Sequence, residues 1–163
     1  MDLNSTHFSK TKKLTVSAMV IALYVCVMYI TQGFAFGAYQ IRIATALYAL
    51  AYCFPFLVMP LAFSNFLSNT LFGGLGPIDM IGGFCVGLLT SFLVYLIRRF
   101  HLPQWTIILP VAFVPGLGIP TYLSALLNVP YPILAASLCV GQLVAGIVGF
   151  LLVKGLSHYQ KEV

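Results

Sequence analysis

Charged residues are scarce in this sequence. They make up 7% of its 163 residues, whereas 61% are hydrophobic and the mean hydropathy is +1.02. Soluble domains carry about 25% charged and about 45–50% apolar residues. Such a composition cannot cover a water-facing surface, which excludes a soluble globular domain and a disordered chain. It also excludes a nucleic-acid-binding protein, despite the formal net charge of +5.

Residues that carry enzymatic chemistry are equally sparse. There is no P-loop (GxxxxGK followed by Ser or Thr), so the chain cannot hydrolyse ATP alone. The three histidines, His7, His101 and His158, are scattered, and the four cysteines lie in apolar runs without a CxxC pair. The sequence therefore predicts no metal site, no cofactor and no enzymatic activity.

The few charges are also segregated. Between Leu14 and Ile97 only Arg42 and Asp79 are charged, and residues 100–153 contain no Asp, Glu, Lys or Arg. Because a bilayer core about 30 Å thick takes about 20 apolar residues per helix, this stretch accommodates about six crossings. The predicted spans are residues 13–33, 40–54, 56–72, 78–98, 104–127 and 131–154. The second is short, so it must tilt little or stop before one interface.

The placement of lysine and arginine predicts the orientation. Six spans put both termini on one side, and most basic residues fall on that same side. These residues are Lys10, Lys12, Lys13, Arg98, Arg99, Lys154 and Lys161. By the positive-inside rule this side is the cytoplasm. We predict an all-α integral membrane protein of six transmembrane helices, with cytoplasmic tails at residues 1–12 and 156–163 and one transmembrane domain at residues 13–155.

Arg42 and Asp79 are the two charged residues expected inside the membrane, and both fall near the outer ends of their spans. Charged side chains at membrane depth are costly and indicate function by default. One interpretation is an ion pair that only locks two helices together. The other is that the two charges bracket a polar ligand that arrives from outside.

Further polar residues concentrate towards the outer side. Asn65 and Asn69 have i, i+4 spacing and so share one face of the third span. For any single Asn or Tyr, a hydrogen bond between helices explains its presence as well as ligand contact does. The candidate substrate-binding residues are Gln40, Arg42, Tyr48, Asn65, Asn69, Asp79, Tyr122, Asn128 and Gln142.

Small residues and prolines indicate where helices approach each other closely and where a helix is expected to be interrupted. Ala18 and Ala22 form an AxxxA pattern in the first span, and Gly141, Ala145 and Gly149 recur every fourth residue in the last. Either pattern serves internal packing or forms a docking face for a partner. Pro110, Pro115 and Pro120 are expected to interrupt the fifth span, as broken helices do where they line a cavity or pack within the protein.

Two local patterns carry a resemblance to a known family. One is GAYQIRI at residues 37–43, followed by AL at 46–47; the other is GGLGPID at residues 73–79, followed by GG at 82–83. With six predicted spans and AxxxA in the first, the chain resembles the substrate-binding S-component of an energy-coupling factor (ECF) vitamin transporter. Over residues 12–155 it most resembles the QueT-type queuosine-precursor family.

The resemblance implies uptake of queuine or another 7-deazaguanine across a bacterial plasma membrane. It implies that the S-component binds substrate from outside, then docks on a transmembrane coupling protein attached to two cytoplasmic ATPases, whose ATP hydrolysis drives release inside. Ala18 and Ala22 match the docking motif. The family pattern after the arginine is Arg-Val-Ser-Glu-Ala-Leu, whereas Thr45 stands here in place of the glutamate and Ala44 in place of the serine. Asp79 is then the remaining carboxylate for the ring N–H and exocyclic amine of the base.

Three alternatives remain open on the sequence. The first is an S-component for a different vitamin or aromatic metabolite. The second is a stand-alone facilitator or channel, and the third is an assembly subunit without a ligand. The function that we expect is the one implied by the resemblance, an ECF S-component for a queuosine precursor. Its expected partners are a small-molecule substrate, the ECF subunits and the lipid bilayer.

Overall fold

The computed structural model describes residues 8–35, 41–73 and 75–162, apart from the side chains of Phe34 and residues 159–162. All regular structure in these ranges is helical. The α-helices are α1 (Lys10–Ala35), α2 (Leu50–Cys53), α3 (Val58–Ser68), α4 (Pro77–Arg99), α5 (Ile108–Leu127) and α6 (Tyr131–Glu162). The 3-10 helices Ile43–Ala49, Pro55–Leu57 and Gln104–Ile107 lead into α2, α3 and α5, and a π-helix, Asn69–Gly73, follows α3.

Five stretches are long and apolar enough to cross a membrane. They are Lys10–Gly33, Pro55–Gly73, Pro77–Arg99, Gln104–Leu127 and Tyr131–His158. They agree with five of the predicted spans to within a few residues, which confirms a multi-pass, all-helical membrane protein. The count of six crossings and the side of the termini stay predictions.

The remaining predicted span, residues 40–54, is the short helical stretch Ile43–Cys53, called segment 2 below. Its seven 3-10 and four α-helical residues extend over about 20 Å, at about 2.0 and 1.5 Å per residue. This is less than the thickness of a bilayer core. Segment 2 is almost wholly buried and packs against α1, α3, α4, α5 and α6, so it forms the centre of the protein.

Small side chains let the long helices approach this central segment. Ala44, Ala46 and Ala49 in segment 2 are buried. Gly149 of α6 lies opposite them, and a Cβ atom there would sit 2.8 Å from the carbonyl oxygen of Ala46. Ala145 is fully buried as well. The small-residue stripe of α6 therefore serves internal packing.

Arg98 secures the other end of segment 2. Its Nη1 donates hydrogen bonds to the carbonyl oxygens of Tyr52 (3.0 Å) and Cys53 (2.7 Å). The last carbonyls of a helix have no partner within the helix, and a cation there is also favoured by the helix dipole. One of the basic residues predicted to face the cytoplasm thus also fixes the position of the buried segment.

Contrary to the expectation from its prolines, α5 is not interrupted. It runs as one helix from Ile108 to Leu127 with Pro115 and Pro120 inside it. Pro110, Pro115 and Pro120 are all buried, so they lie on the side of α5 that packs within the protein, where a membrane helix tolerates proline. Gly116 adjoins Cys139 of α6, and this close approach keeps the proline-containing stretch packed.

We expect Gly149→Ala to lower the free energy of unfolding by about 1–3 kcal/mol, because the new methyl group would overpack against a backbone carbonyl. The matched control is Gly155→Ala in the same helix, where nothing lies within 4 Å of the new Cβ atom. It should leave stability unchanged or raise it slightly through higher helix propensity. Thermal unfolding in detergent, followed by the fluorescence of the single tryptophan, measures both; equal effects of the two substitutions would contradict the packing argument.

Candidate functional site

Buried polar side chains gather where the start of segment 2, the end of α3 and the start of α4 meet. Six of them are at most 2% exposed: Arg42, Thr45, Asn65, Asn69, Asp79 and Gln142. With the tyrosines that adjoin them, Tyr24, Tyr48 and Tyr122, they are called the polar cluster here. The five long spans and segment 2 each contribute at least one member, so the cluster exists only in the folded chain.

Arg42 is the largest of the fully buried side chains. Its Nε donates to the carbonyl oxygen of Ala35 at 3.4 Å, and its Nη1 donates to Oδ1 of Asn69 at 3.2 Å. Nδ2 of Asn69 in turn donates to the carbonyl oxygen of Asp79 at 3.0 Å. Asn69 therefore connects segment 2 to α4, and its two hydrogen bonds fix which end of its amide is oxygen.

Asp79 lies in the first turn of α4. Gly76 caps this helix at φ +86°, a conformation that glycine adopts without strain, and Pro77 follows at the first helical position. A carboxylate here is favoured by the helix dipole and attracted by the charge of Arg42. Oδ1 accepts a hydrogen bond from the Tyr122 hydroxyl at 3.3 Å, whereas the buried Oδ2 has no hydrogen-bond partner in the part of the chain that the structure describes.

Asn65 is hydrogen-bonded to the backbone of α4 at a glycine. Its Nδ2 donates to the carbonyl oxygen of Gly83 at 2.8 Å. A side chain at Gly83 would collide with the amides of Asn65 and Asn69, so the glycine is what admits them to the surface of α4. The buried Oδ1 of Asn65 has no hydrogen-bond partner among the described residues.

Two tyrosines form the side of the cluster next to α1. The hydroxyls of Tyr24 and Tyr48 lie 3.2 Å apart and their rings stack with centroids 5.8 Å apart. The Tyr48 hydroxyl also lies near the Asn65 amide, and Gly87 makes room for it on α4. The pair thus joins α1 to segment 2 and to α3.

Thr45 and Gln142 extend the cluster to α6. The Thr45 hydroxyl lies 2.6 Å from the carbonyl oxygen of Arg42 and 2.6 Å from the side-chain amide of Gln142. The other end of the Gln142 amide is buried and is without a hydrogen-bond partner within the described ranges. Since buried polar atoms are normally paired, each such atom in the cluster marks a place where a ligand could bind.

The structure brings together seven of the nine candidate binding residues. Arg42, Tyr48, Asn65, Asn69, Asp79, Tyr122 and Gln142 belong to the cluster. Asn128 does not, because it is exposed at the end of α5, in the left-handed conformation (φ 54°). Gln40 lies outside the described residues. The binding role of all nine stays a prediction.

Sequence reasoning left Tyr24 and Thr45 out of the candidate binding residues. Tyr24 lies in an evenly apolar span, and nothing in its sequence neighbourhood shows that it faces Tyr48 rather than lipid. Thr45 drew notice only as a departure from the family pattern. Thr45 belongs to the cluster through its contact with Gln142, which lies 97 positions away in the sequence.

The two predicted docking residues lie apart from the cluster. Ala18 and Ala22 are both exposed on α1, so internal packing does not account for their small side chains. No group of three or more His, Cys, Asp or Glu side chains within the described ranges could hold a metal ion.

The sequence model of the QueT transporter family matches residues 14–158. No curated protein and no solved structure matches the chain significantly. The matched range contains the whole polar cluster as well as Ala18 and Ala22. The resemblance seen in the two local sequence patterns is thereby confirmed at the level of the family.

We expect Asn69→Ala to lower the free energy of unfolding by about 1–3 kcal/mol, because it removes the acceptor of Arg42 and the donor to α4 inside a buried cluster. The neighbouring substitution Thr70→Ala is the control, since Thr70 is exposed and its hydroxyl donates to the carbonyl oxygen of Phe66 one turn earlier; its effect should stay within about 0.5 kcal/mol. Chemical denaturation in detergent compares the two. A neutral Asn69→Ala would show that Asn69 does not hold segment 2 to α4.

Proposed function

Because the chain belongs to the QueT transporter family, we propose that it is the substrate-binding S-component of an ECF-type importer. We propose that its polar cluster binds a queuosine precursor, queuine or another 7-deazaguanine, from outside the cell. The observation that carries this proposal is a set of buried polar atoms that have no partner within residues 8–35, 41–73 and 75–162. They lie on three different elements, Asn65 on α3, Asp79 on α4 and Gln142 on α6.

The energetic argument concerns these atoms. Leaving a buried donor or acceptor unpaired costs about 1–3 kcal/mol each, and more for a charged group. Three such atoms in one connected cluster would be an expensive way only to join helices. A polar ligand that pairs with them recovers this energy on binding, which favours a binding site over a purely structural ion pair.

The chemistry of the cluster fits a 7-deazaguanine. The base presents a ring N–H beside an exocyclic amine, a donor pair that matches a carboxylate such as Asp79. Tyr48 and Tyr122 add flat apolar surface beside polar hydroxyls, which suits an aromatic heterocycle. Arg42 keeps the buried site close to electrical neutrality when Asp79 is ionised.

We further propose the topology predicted from the sequence. Segment 2 would serve as a sixth, shortened crossing, both tails would lie in the cytoplasm, and residues 13–155 would form the substrate-binding domain. The cluster would then lie towards the outer leaflet. Arg98, at the far end of α4 from Asp79, would lie at the inner interface, where the positive-inside rule places it.

The proposed partners are an ECF coupling protein and two ATPases, because the chain contains no P-loop of its own. Ala18 and Ala22 would form the docking face. They lie on α1, which is the least buried of the long helices, and small residues let a partner helix approach closely.

Substrate binding is tested by thermal unfolding of the purified chain with queuine, its 7-deazaguanine precursors, guanine and a panel of B vitamins. A ligand that binds only the folded state stabilises it by about 2.7 kcal/mol at 100 times its Kd. A shift with 7-deazaguanines alone supports the proposal. A shift with another vitamin reassigns the ligand, and no shift with any probe favours the assembly-subunit alternative.

We expect Asp79→Asn to weaken binding of the 7-deazaguanine about 10- to 100-fold, since a hydrogen bond to a charged acceptor is lost and an amide nitrogen faces the ligand's N–H groups. Glu162→Gln, twenty positions beyond Gln142 in the sequence of α6, changes a different carboxylate of the chain and is the control. Calorimetric titration gives both affinities, and the ligand-free Tm shows that the variant is folded. Unchanged affinity of the Asp79 variant would remove Asp79 from the site.

We expect Ala18→Leu combined with Ala22→Leu to abolish uptake but to preserve binding by the isolated chain, because the larger side chains would keep the coupling protein away. Ala136→Leu, at an exposed alanine of α6, is the control and should transport normally. Uptake is measured in vesicles that contain the coupling protein and ATPases. Loss of binding by the isolated variant would overturn a role in docking alone, and uptake by the chain alone would support the stand-alone facilitator.

A further inference from the structure

The Thr45 hydroxyl carries more hydrogen-bond contacts than its single proton can serve. Two oxygen positions lie 2.6 Å from Thr45 Oγ1, the carbonyl oxygen of Arg42 and the atom placed as Oε1 of Gln142. A hydroxyl has one proton to donate and otherwise accepts. If it donates to one of these oxygens, the other would be held at 2.6 Å with no proton between the two atoms, which is repulsive.

Rotating the Gln142 amide by half a turn removes the conflict. The carbonyl oxygen of Arg42 can only accept, so the Thr45 proton must go to it. Thr45 Oγ1 is then an acceptor towards Gln142, and the amide must present its Nε2–H to Thr45. The two ends of a glutamine amide differ only in their hydrogens, so the hydrogen-bond network decides between them.

This assignment changes the character of the unpaired atom. The end of the Gln142 amide that faces away from Thr45 is buried and unpartnered within the described part of the chain. With the amide reoriented, this atom is the oxygen Oε1. Asn65 Oδ1 and Asp79 Oδ2 are the other unpaired atoms of the cluster, so all three are hydrogen-bond acceptors.

We propose that Thr45 is a positioning residue that orients the Gln142 amide with its oxygen towards the ligand, which gives the site a third buried acceptor. The site then selects ligands with N–H donors on several edges and rejects those that present acceptors there. The inference rests on the proposed function and deepens it. A 7-deazaguanine has three such donor positions: the ring N1–H, the exocyclic amine and the pyrrole N9–H.

The orientation of the amide can be tested without any ligand. In protein labelled with [15N]glutamine, the Gln142 side-chain signals are identified by their loss in Gln142→Met. We expect one of the two Nε2 proton signals to move upfield in Thr45→Val, which keeps the side-chain shape but removes the acceptor of an N–H hydrogen bond, and to stay close to its original position in Thr45→Ser. Signals that are the same in Thr45→Val and in the unaltered protein would overturn the assignment.

Selectivity is tested with 7-deazaguanine and two analogues that each lack one donor: 7-deazahypoxanthine, without the exocyclic amine, and 9-methyl-7-deazaguanine. The unaltered protein should bind both analogues more weakly than the parent base. The discrimination ratio of an analogue is its Kd divided by the Kd of the parent base. In Thr45→Val, one of the two ratios should fall about tenfold, which is the effect of one hydrogen bond. In Thr45→Ser both ratios should stay unchanged.

The outcomes separate the two proposals. If no probe binds the unaltered protein, the proposed 7-deazaguanine function fails, while the glutamine signals still decide the orientation of Gln142. If the probes bind and both discrimination ratios are the same in Thr45→Val, the proposed function survives and the role of Thr45 in selectivity is overturned. A change in Tm with unchanged ratios would give Thr45 a structural role only.

Discussion

A positive charge enclosed by apolar helices is the constraint around which this protein is organised. Arg42 is 2% exposed, and an isolated charge in such surroundings is far too costly to keep without partners. Asn69, the carbonyl of Ala35 and the nearby charge of Asp79 supply them. Because these groups belong to different elements, satisfying the arginine fixes segment 2, α1, α3 and α4 relative to one another.

The polar cluster depends equally on residues that have little or no side chain. Gly83 and Gly87 leave the surface of α4 open to Asn65, Asn69 and Tyr48, and Gly149 lets α6 approach segment 2. In a bilayer, helices gain little from hydrophobic burial against one another, so close packing and hydrogen bonds between helices hold them together. Glycine and polar residues here perform that task jointly, and substitution at either would loosen the same contacts.

The cluster and the exposed face of α1 are linked through the Tyr24–Tyr48 pair. Tyr24 lies on the buried side of α1, while Ala18 and Ala22 lie on its exposed side. A change around Asn65 or Tyr48 therefore has a direct route of contact to the helix proposed to dock on the coupling protein. In an importer, such a connection would let substrate binding influence docking, since both would act on the position of α1.

The sequence alone determined the membrane environment, five long helices and the two charged residues of the apolar stretch, because composition and hydropathy are summed along the chain and need no tertiary contacts. It also pointed to the family and to seven members of the cluster, since polar residues in apolar spans are rare enough to stand out. Only the tertiary structure decided that segment 2 is a short central helix, that α5 continues through its prolines, that Asn128 lies outside the cluster and that Tyr24 and Thr45 belong to it. Each of these depends on which face of a helix meets which neighbour, and apolar residues on both faces of a membrane helix conceal that information.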